Sequence, residues 1–215
     1  MEKYIVSKKR VADHGEVYTR KREVNAMLDL VKQETERIDS RFLEPACGTG
    51  NFLTEILERK LRVVEARYKK SQLEYERNAV LAVSSIYGID LLEDNVHECR
   101  KRLFDIFAQK YTALFKDTAK DKCRNAVGYI LERNIIRGDA LSFKTAGENP
   151  KPIVFSEWSP VNGSMLKRRD YMMSFLVKKH HQMLLFSDEG GLADINEPVK
   201  EYPLMHFLEV ANVYE

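Results

Sequence analysis

The sequence predicts an α/β protein built on a mostly parallel sheet with flanking helices, and three observations carry that prediction. Short apolar runs end in an acid at Phe42-Leu43-Glu44, Tyr87-Gly88-Ile89-Asp90 and Ile135-Ile136-Arg137-Gly138-Asp139. Between them lie longer stretches whose apolar residues recur at the helical period. A glycine turn, Cys47-Gly48-Thr49-Gly50, joins the first run to the helical stretch that follows it. Strands that alternate with helices pair in parallel, and ligands gather beyond the carboxyl ends of such strands.

Taken in order, the chain opens with a charged leader and a turn at Asp13-His14-Gly15-Glu16-Val17-Tyr18-Thr19. A helix is expected from about Val24 to Thr35, with Ala26, Met27, Leu30 and Val31 on its apolar face. Phe52, Leu53, Ile56 and Leu57 repeat at the helix period after the glycine turn. The charged stretch beyond them, with Val63, Val64, Leu73, Ala79, Leu81 and Ala82, continues as helix. Ser84 to Asp90 reads as a second strand, Leu91 to about Leu114 as an amphipathic helix, Ala126 to Leu131 as a further helix, and Asn134 to Asp139 as a third strand. Lys151 to Phe155 is expected as a fourth. From Ser156 onward the periods weaken, so the expected organisation is one domain over 1–155 and an irregular, dependent extension over 156–215.

Composition sets limits. A chain of 215 residues with 44% hydrophobic and 32% charged content suits one buried core. No apolar run approaches a membrane-spanning length and no basic-then-apolar leader opens the chain, so a cytoplasmic location is expected. Cys47, Cys99 and Cys123 are odd in number and widely spaced, which suits reduced thiols rather than disulfides or zinc ligands. His180-His181 is the one metal-like pair, but adjacent histidines diverge and a solvated basic loop accounts for them; no metal is expected. A net charge of +2 does not by itself indicate nucleic acid. Lys8-Lys9-Arg10, Arg20-Lys21-Arg22 and Lys167-Arg168-Arg169 are local candidates for phosphate contact, or ordinary solvated faces.

The glycine turn is the most informative segment. Gly48 and Gly50 permit a tight turn, and the helix starting near Asn51 directs unpaired amides at whatever lies over it. The spacing matches neither a dinucleotide fingerprint nor a Walker loop. What fits is S-adenosylmethionine. Glu44 and the turn suit a methionine moiety, Asp90 a ribose diol and Asp139 an adenine amino group. Singly, each acid is equally well explained as a cap or loop closure; in order, the three argue for a cofactor site.

The run Glu44-Pro45-Ala46-Cys47-Gly48-Thr49-Gly50-Asn51-Phe52 resembles motif I of the amino-methylating DNA methyltransferases. Asp90-Leu91 and Gly138-Asp139-Ala140 resemble motifs II and III, and Gly15-Glu16-Val17-Tyr18-Thr19 resembles motif X, with Arg20 where a proline is common. Motif X followed by I, II and III is most similar to the gamma-type adenine methyltransferases, notably the modification subunits of type I restriction systems, over about residues 13 to 141. The resemblance implies a Rossmann-like methyltransferase fold with S-adenosylmethionine bound by Tyr18, Thr19, Glu44, Pro45, Ala46, Gly48, Gly50, Asn51, Phe52, Asp90, Leu91, Asp139 and Ala140. It implies DNA as partner and direct methyl transfer to the adenine amino group.

One part of the family pattern is missing. Its Asn/Asp-Pro-Pro-aromatic catalytic loop does not occur, and Asn149-Pro150-Lys151-Pro152 reads as a pre-strand turn. In the expected place stand Ser156, Glu157 and Trp158. These could hold an amino group and stack on a base, or Trp158 could be a core aromatic. A partner subunit supplying target recognition, with or without catalytic elements, is therefore expected. Two alternatives stay open: a catalytically silent cofactor-binding subunit, and a methyltransferase acting on RNA, protein or a small molecule.

Overall fold

The computed structural model describes residues 19–175 and 197–212. Three strands, β1 (Phe42–Glu44), β2 (Ile86–Asp90) and β3 (Ile135–Asp139), run parallel in that spatial order, and β4 (Lys144–Thr145) adds antiparallel to β3. Glu44 pairs in register with Gly88 and Asp90 with Arg137, so the acid-bearing ends share one edge. Ile86, Ile89 and Ile135 are fully buried: Ile86 and Ile135 pack in the core with the helices, and Ile89 packs on the other face with Ile153, Phe155 and Met173, so the central strands have no wet face.

The helices are α1 (Lys21–Asp29), α2 (Lys32–Thr35), α3 (Asn51–Tyr68), α4 (Gln72–Ser84), α5 (Glu93–Phe115) and α6 (Asp121–Asn134). The single N-terminal helix expected from the periodicity is two. It breaks at Leu30-Val31, and the expected apolar face is out of phase: Val24 and Leu28 are buried, whereas Leu30 is 86% exposed. The long charged stretch likewise divides into α3 and α4. Ser71 ends the run by capping α4, its hydroxyl accepting the Glu74 amide. Helix α6, expected from Ala126, starts earlier, at Asp121.

The largest correction concerns the region after Lys151. β5 (Val154–Pro160) does not join the parallel sheet. It pairs antiparallel with β6 (Met165–Met172), and β7 (Lys200–Glu201) and β8 (Met205–His206) both pair with β6. This is a second sheet, where an irregular path was expected. Trp158, Leu166, Tyr202, Phe207 and Val210 from this region pack into the same core as the buried faces of α3 to α6. The alternation of β6 was hard to read because its buried positions include Arg168 and Asp170. Arg168 Nη2 donates to Asp170 Oδ2 at 2.8 Å and Nη1 to the Tyr129 hydroxyl at 2.8 Å, while its guanidinium lies 4.0 Å from the Tyr202 ring centre. A paired, stacked charge of this kind is tolerated in a core that would reject a lone one. Lys167 and Arg169 both pair with Glu201, so the basic run 167–169 is committed within the protein.

Among the described residues no helix is long and apolar enough to cross a membrane. His180-His181 and Lys8-Lys9-Arg10 lie outside the described residues.

Candidate functional site

Beyond the carboxyl ends of β1, β2 and β3 lies a cavity of about 580 Å³, within the roughly 300–1,000 Å³ usual for small-molecule sites. Thr19, Glu44, Pro45, Ala46, Gly48, Asn51, Phe52, Asp90, Leu91, Asp139 and Ala140 line it. Besides Thr19, three widely separated stretches of sequence thus meet because parallel strands place their carboxyl ends together. Gly50 is not on the wall. It caps α3 from below with φ +86°. Tyr18 lies outside the described residues. Cys47, Thr49, Leu92, Asn95, Gly138 and Leu141, not named among the expected cofactor contacts, also line the cavity. Asn95 sits five residues past the strand-end acid and was legible only as helix.

The glycine turn is fixed from several sides. The Cys47 amide donates to the Ile89 carbonyl at 2.8 Å and the Gly50 amide to the Cys47 carbonyl at 2.8 Å. A Cβ on Gly50 would stand 2.7 Å from Cys99 Sγ, so both the left-handed angle and the space require glycine there. The first-turn amides of α3 have no acceptor within their own helix, and they offer partial positive charge to an anionic group over the turn.

The three acids differ in their surroundings. Burial pushes the Glu44 carboxyl above its ordinary value, against the opposing hydrogen bond from the Ala46 amide. Asp139 is held below its ordinary value, first by the Leu141 amide, 2.9 Å from Oδ1, and then by Ser142. Asp90 is the hub. Its Oδ2 accepts the Gly48 amide at 2.9 Å, and its Oδ1 accepts the Leu92 amide at 2.9 Å and Asn95 Nδ2 at 3.2 Å. A carboxylate offers roughly four acceptor positions. Little capacity is left on Asp90 for a ligand, so it can take one hydroxyl more readily than a full diol. Cys47 and Cys99 are buried, and hydrogen bonding to Cys99, then burial, raises the Cys47 thiol, which makes it a packing residue rather than a nucleophile.

Ser156, Glu157 and Trp158 are not among the residues lining this cavity. Ser156 is buried, its hydroxyl donating to Asp170 Oδ1 at 2.7 Å. Trp158 is 4% exposed and its Nε1 donates to Asn134 Oδ1 at 3.2 Å. Glu157 is half-buried and pairs with Arg41. Among the described residues no group of three or more His, Cys, Asp or Glu side chains could hold a metal ion.

An acid-and-glycine cavity at the carboxyl edge of a mainly parallel sheet defines a class of ligand-binding α/β protein, and comparison with known families narrows it. Residues 18–151, more than half of the chain, match the family model described as MmeI, DNA-methyltransferase domain, and the chain belongs to that family. It is a DNA methyltransferase domain of restriction-modification type. The matched span includes every wall of the cavity and ends before β5. No curated protein and no solved structure gives a match.

Proposed function

We propose that this chain binds S-adenosylmethionine in the carboxyl-edge cavity and serves methylation of the adenine amino group in DNA, with a partner polypeptide supplying target recognition and the missing catalytic tetrapeptide. The convergence of the glycine turn, Glu44, Asp90 and Asp139 on one cavity carries this reading. The donor set fits the cofactor. The α3 amides suit its carboxylate, Glu44 its ammonium, the spare acceptor on Asp90 a ribose hydroxyl, and Asp139 the adenine amino group. Phe52, Leu91 and Ala140 offer apolar surface to the adenine ring. Thr19 closes the N-terminal side. When bound, the cofactor supplies a methyl group activated on its sulfonium. The protein's own tasks are to bind and orient it and to keep the turn rigid. The cytoplasm, where DNA and reduced thiols coexist, is the proposed location.

A second reading, a cofactor-binding subunit silent in catalysis, is favoured by one observation: Ser156 and Trp158 are buried in the joint between the two sheets and Glu157 is paired with Arg41. Tritiated S-adenosylmethionine and unmethylated DNA separate the two. Label in adenine supports the first reading, whereas tight cofactor binding without label supports the second. Label only in RNA, protein or a small molecule contradicts both.

A further inference from the structure

Helix α5 carries Asn95, Cys99 and Arg102 at spacings of four and three, which places them along one face. All three act on the cofactor loops: Asn95 reaches Asp90, Cys99 fills the space beneath Gly50, and Arg102 reaches the glycine turn itself. Arg102 Nη1 donates to the Thr49 carbonyl at 2.7 Å, to Asn51 Oδ1 at 2.9 Å and to Thr49 Oγ1 at 3.1 Å. With its Oδ1 on Arg102, the Asn51 amide turns its Nδ2 to the Thr19 carbonyl at 3.3 Å. One guanidinium therefore holds the turn and, through Asn51, the strand of chain that forms the cavity's N-terminal side. Arg102 does not itself line the cavity.

We infer that Arg102 is a positioning residue that sets the affinity of the cofactor site by fixing the conformation of Thr49 and Asn51. The inference rests on the reading of the cavity as an S-adenosylmethionine site. Without the guanidinium, the Thr49 carbonyl and the Asn51 side chain lose their common donor. The turn then samples conformations in which the α3 amides are not aimed at one point, and binding must select the competent fraction. All three contacts come from Nη1, so a lysine offers the same kind of donor on a shorter stem that does not place it at the same point, and it restores only part of the effect.

Titration calorimetry with S-adenosylmethionine on the whole chain tests this, with thermal unfolding of each variant without cofactor as the fold check. Arg102→Ala is expected to weaken binding by at least about ten-fold, with a melting temperature close to that of the unsubstituted chain. Arg102→Lys should fall between them, and Lys101→Ala, one residue away and paired with Asp105, should bind as the unsubstituted chain does. Adding Asn51→Ala to Arg102→Ala should weaken binding by less than the product of the single effects, since both act through one contact. Unchanged affinity in a folded Arg102→Ala variant overturns the inference. If that variant does not fold, Arg102→Lys decides: weakened binding supports the role, and affinity equal to the unsubstituted chain overturns it. Absence of binding by the folded, unsubstituted chain is a different failure, because it removes the cofactor reading on which the role depends.

Discussion

The Asp90 carboxylate accepts the backbone amide of Gly48 at 2.9 Å, across 42 residues of sequence. The acid at the tip of β2 thereby locks the glycine turn that follows β1, and the two loops form one rigid unit. The same acid also holds the start of α5 through Leu92 and Asn95. Asp90→Ala is therefore expected to remove cofactor binding and to lower the unfolding free energy by about 1–3 kcal/mol, the usual cost of losing hydrogen bonds to a charged acceptor. Asp90→Asn keeps one oxygen and should lose less of both. Calorimetry and urea unfolding on the two variants check this ordering.

The two glycines of the turn should respond differently. Gly50→Ala combines a left-handed backbone angle with a Cβ 2.7 Å from Cys99 Sγ, and is expected to cost about 1–3 kcal/mol. Cys99→Ala added to it should recover the steric part and leave the backbone part. Gly48, with φ +51° and open space around its missing Cβ, should accept Asn, a residue that tolerates that angle, at under about 1 kcal/mol. Thermal melts of the three variants give the comparison.

Glu44 should make binding of the proposed cofactor depend on pH. Its carboxyl sits above the ordinary glutamate value because it is buried, and only the ionised form can accept hydrogen bonds from a cationic group at full strength. Affinity should therefore fall as pH falls through that raised value, earlier than an ordinary glutamate would allow. Glu44→Gln should bind more weakly at neutral pH and lose this dependence. Calorimetric titrations across the acid range test both statements.

Lys60 predicts a second pH effect, on stability. Its ammonium is fully buried, donates to the Ile38 carbonyl at 3.2 Å and also to Ser40 and Ser85, and burial lowers it to about 7 from an ordinary value of 10.5. Between those two values the unfolded chain holds a proton that the folded chain does not, so unfolding takes up a proton. Stability should rise with pH across that window and be lower, but level, below it. Lys60→Met should flatten the rise and cost about 1–3 kcal/mol by leaving two buried carbonyls short of a donor. Denaturant unfolding at pH 7 and pH 9 measures the slope.

Trp158 tests the region that stands where the family's catalytic loop is expected. Its indole fills the core shared by the two sheets, so Trp158→Ala should destabilise the fold by about 3–5 kcal/mol. Glu157→Gln, at a half-buried position, should leave stability within about 1 kcal/mol. That variant is the usable probe of whether this strand takes part in methyl transfer.

The sheet and the cavity were legible because their signals are local. An acid at the end of an apolar run and two glycines before an amphipathic stretch are read without knowing any partner. The parallel order of β1, β2 and β3 followed from the intervening helices. What was hidden depends on long-range partners. Arg168 reads as a phosphate contact or a solvated face until it is seen paired with Asp170 inside the second sheet. Leu30 and Val31 read as core until the chain breaks at them and leaves them facing out. Arg102 gave no signal at all, since its partners Thr49 and Asn51 lie more than 50 residues earlier and only the packing of α5 brings them together.

The central claim is that the carboxyl-edge cavity is a methyl-donor site, and titration of the folded chain with S-adenosylmethionine tests it most directly. Saturable binding of one cofactor per chain, lost in Asp90→Ala, is the predicted result. A folded chain that gives no binding heat up to millimolar cofactor, or an Asp90→Ala variant that binds undiminished, would contradict it.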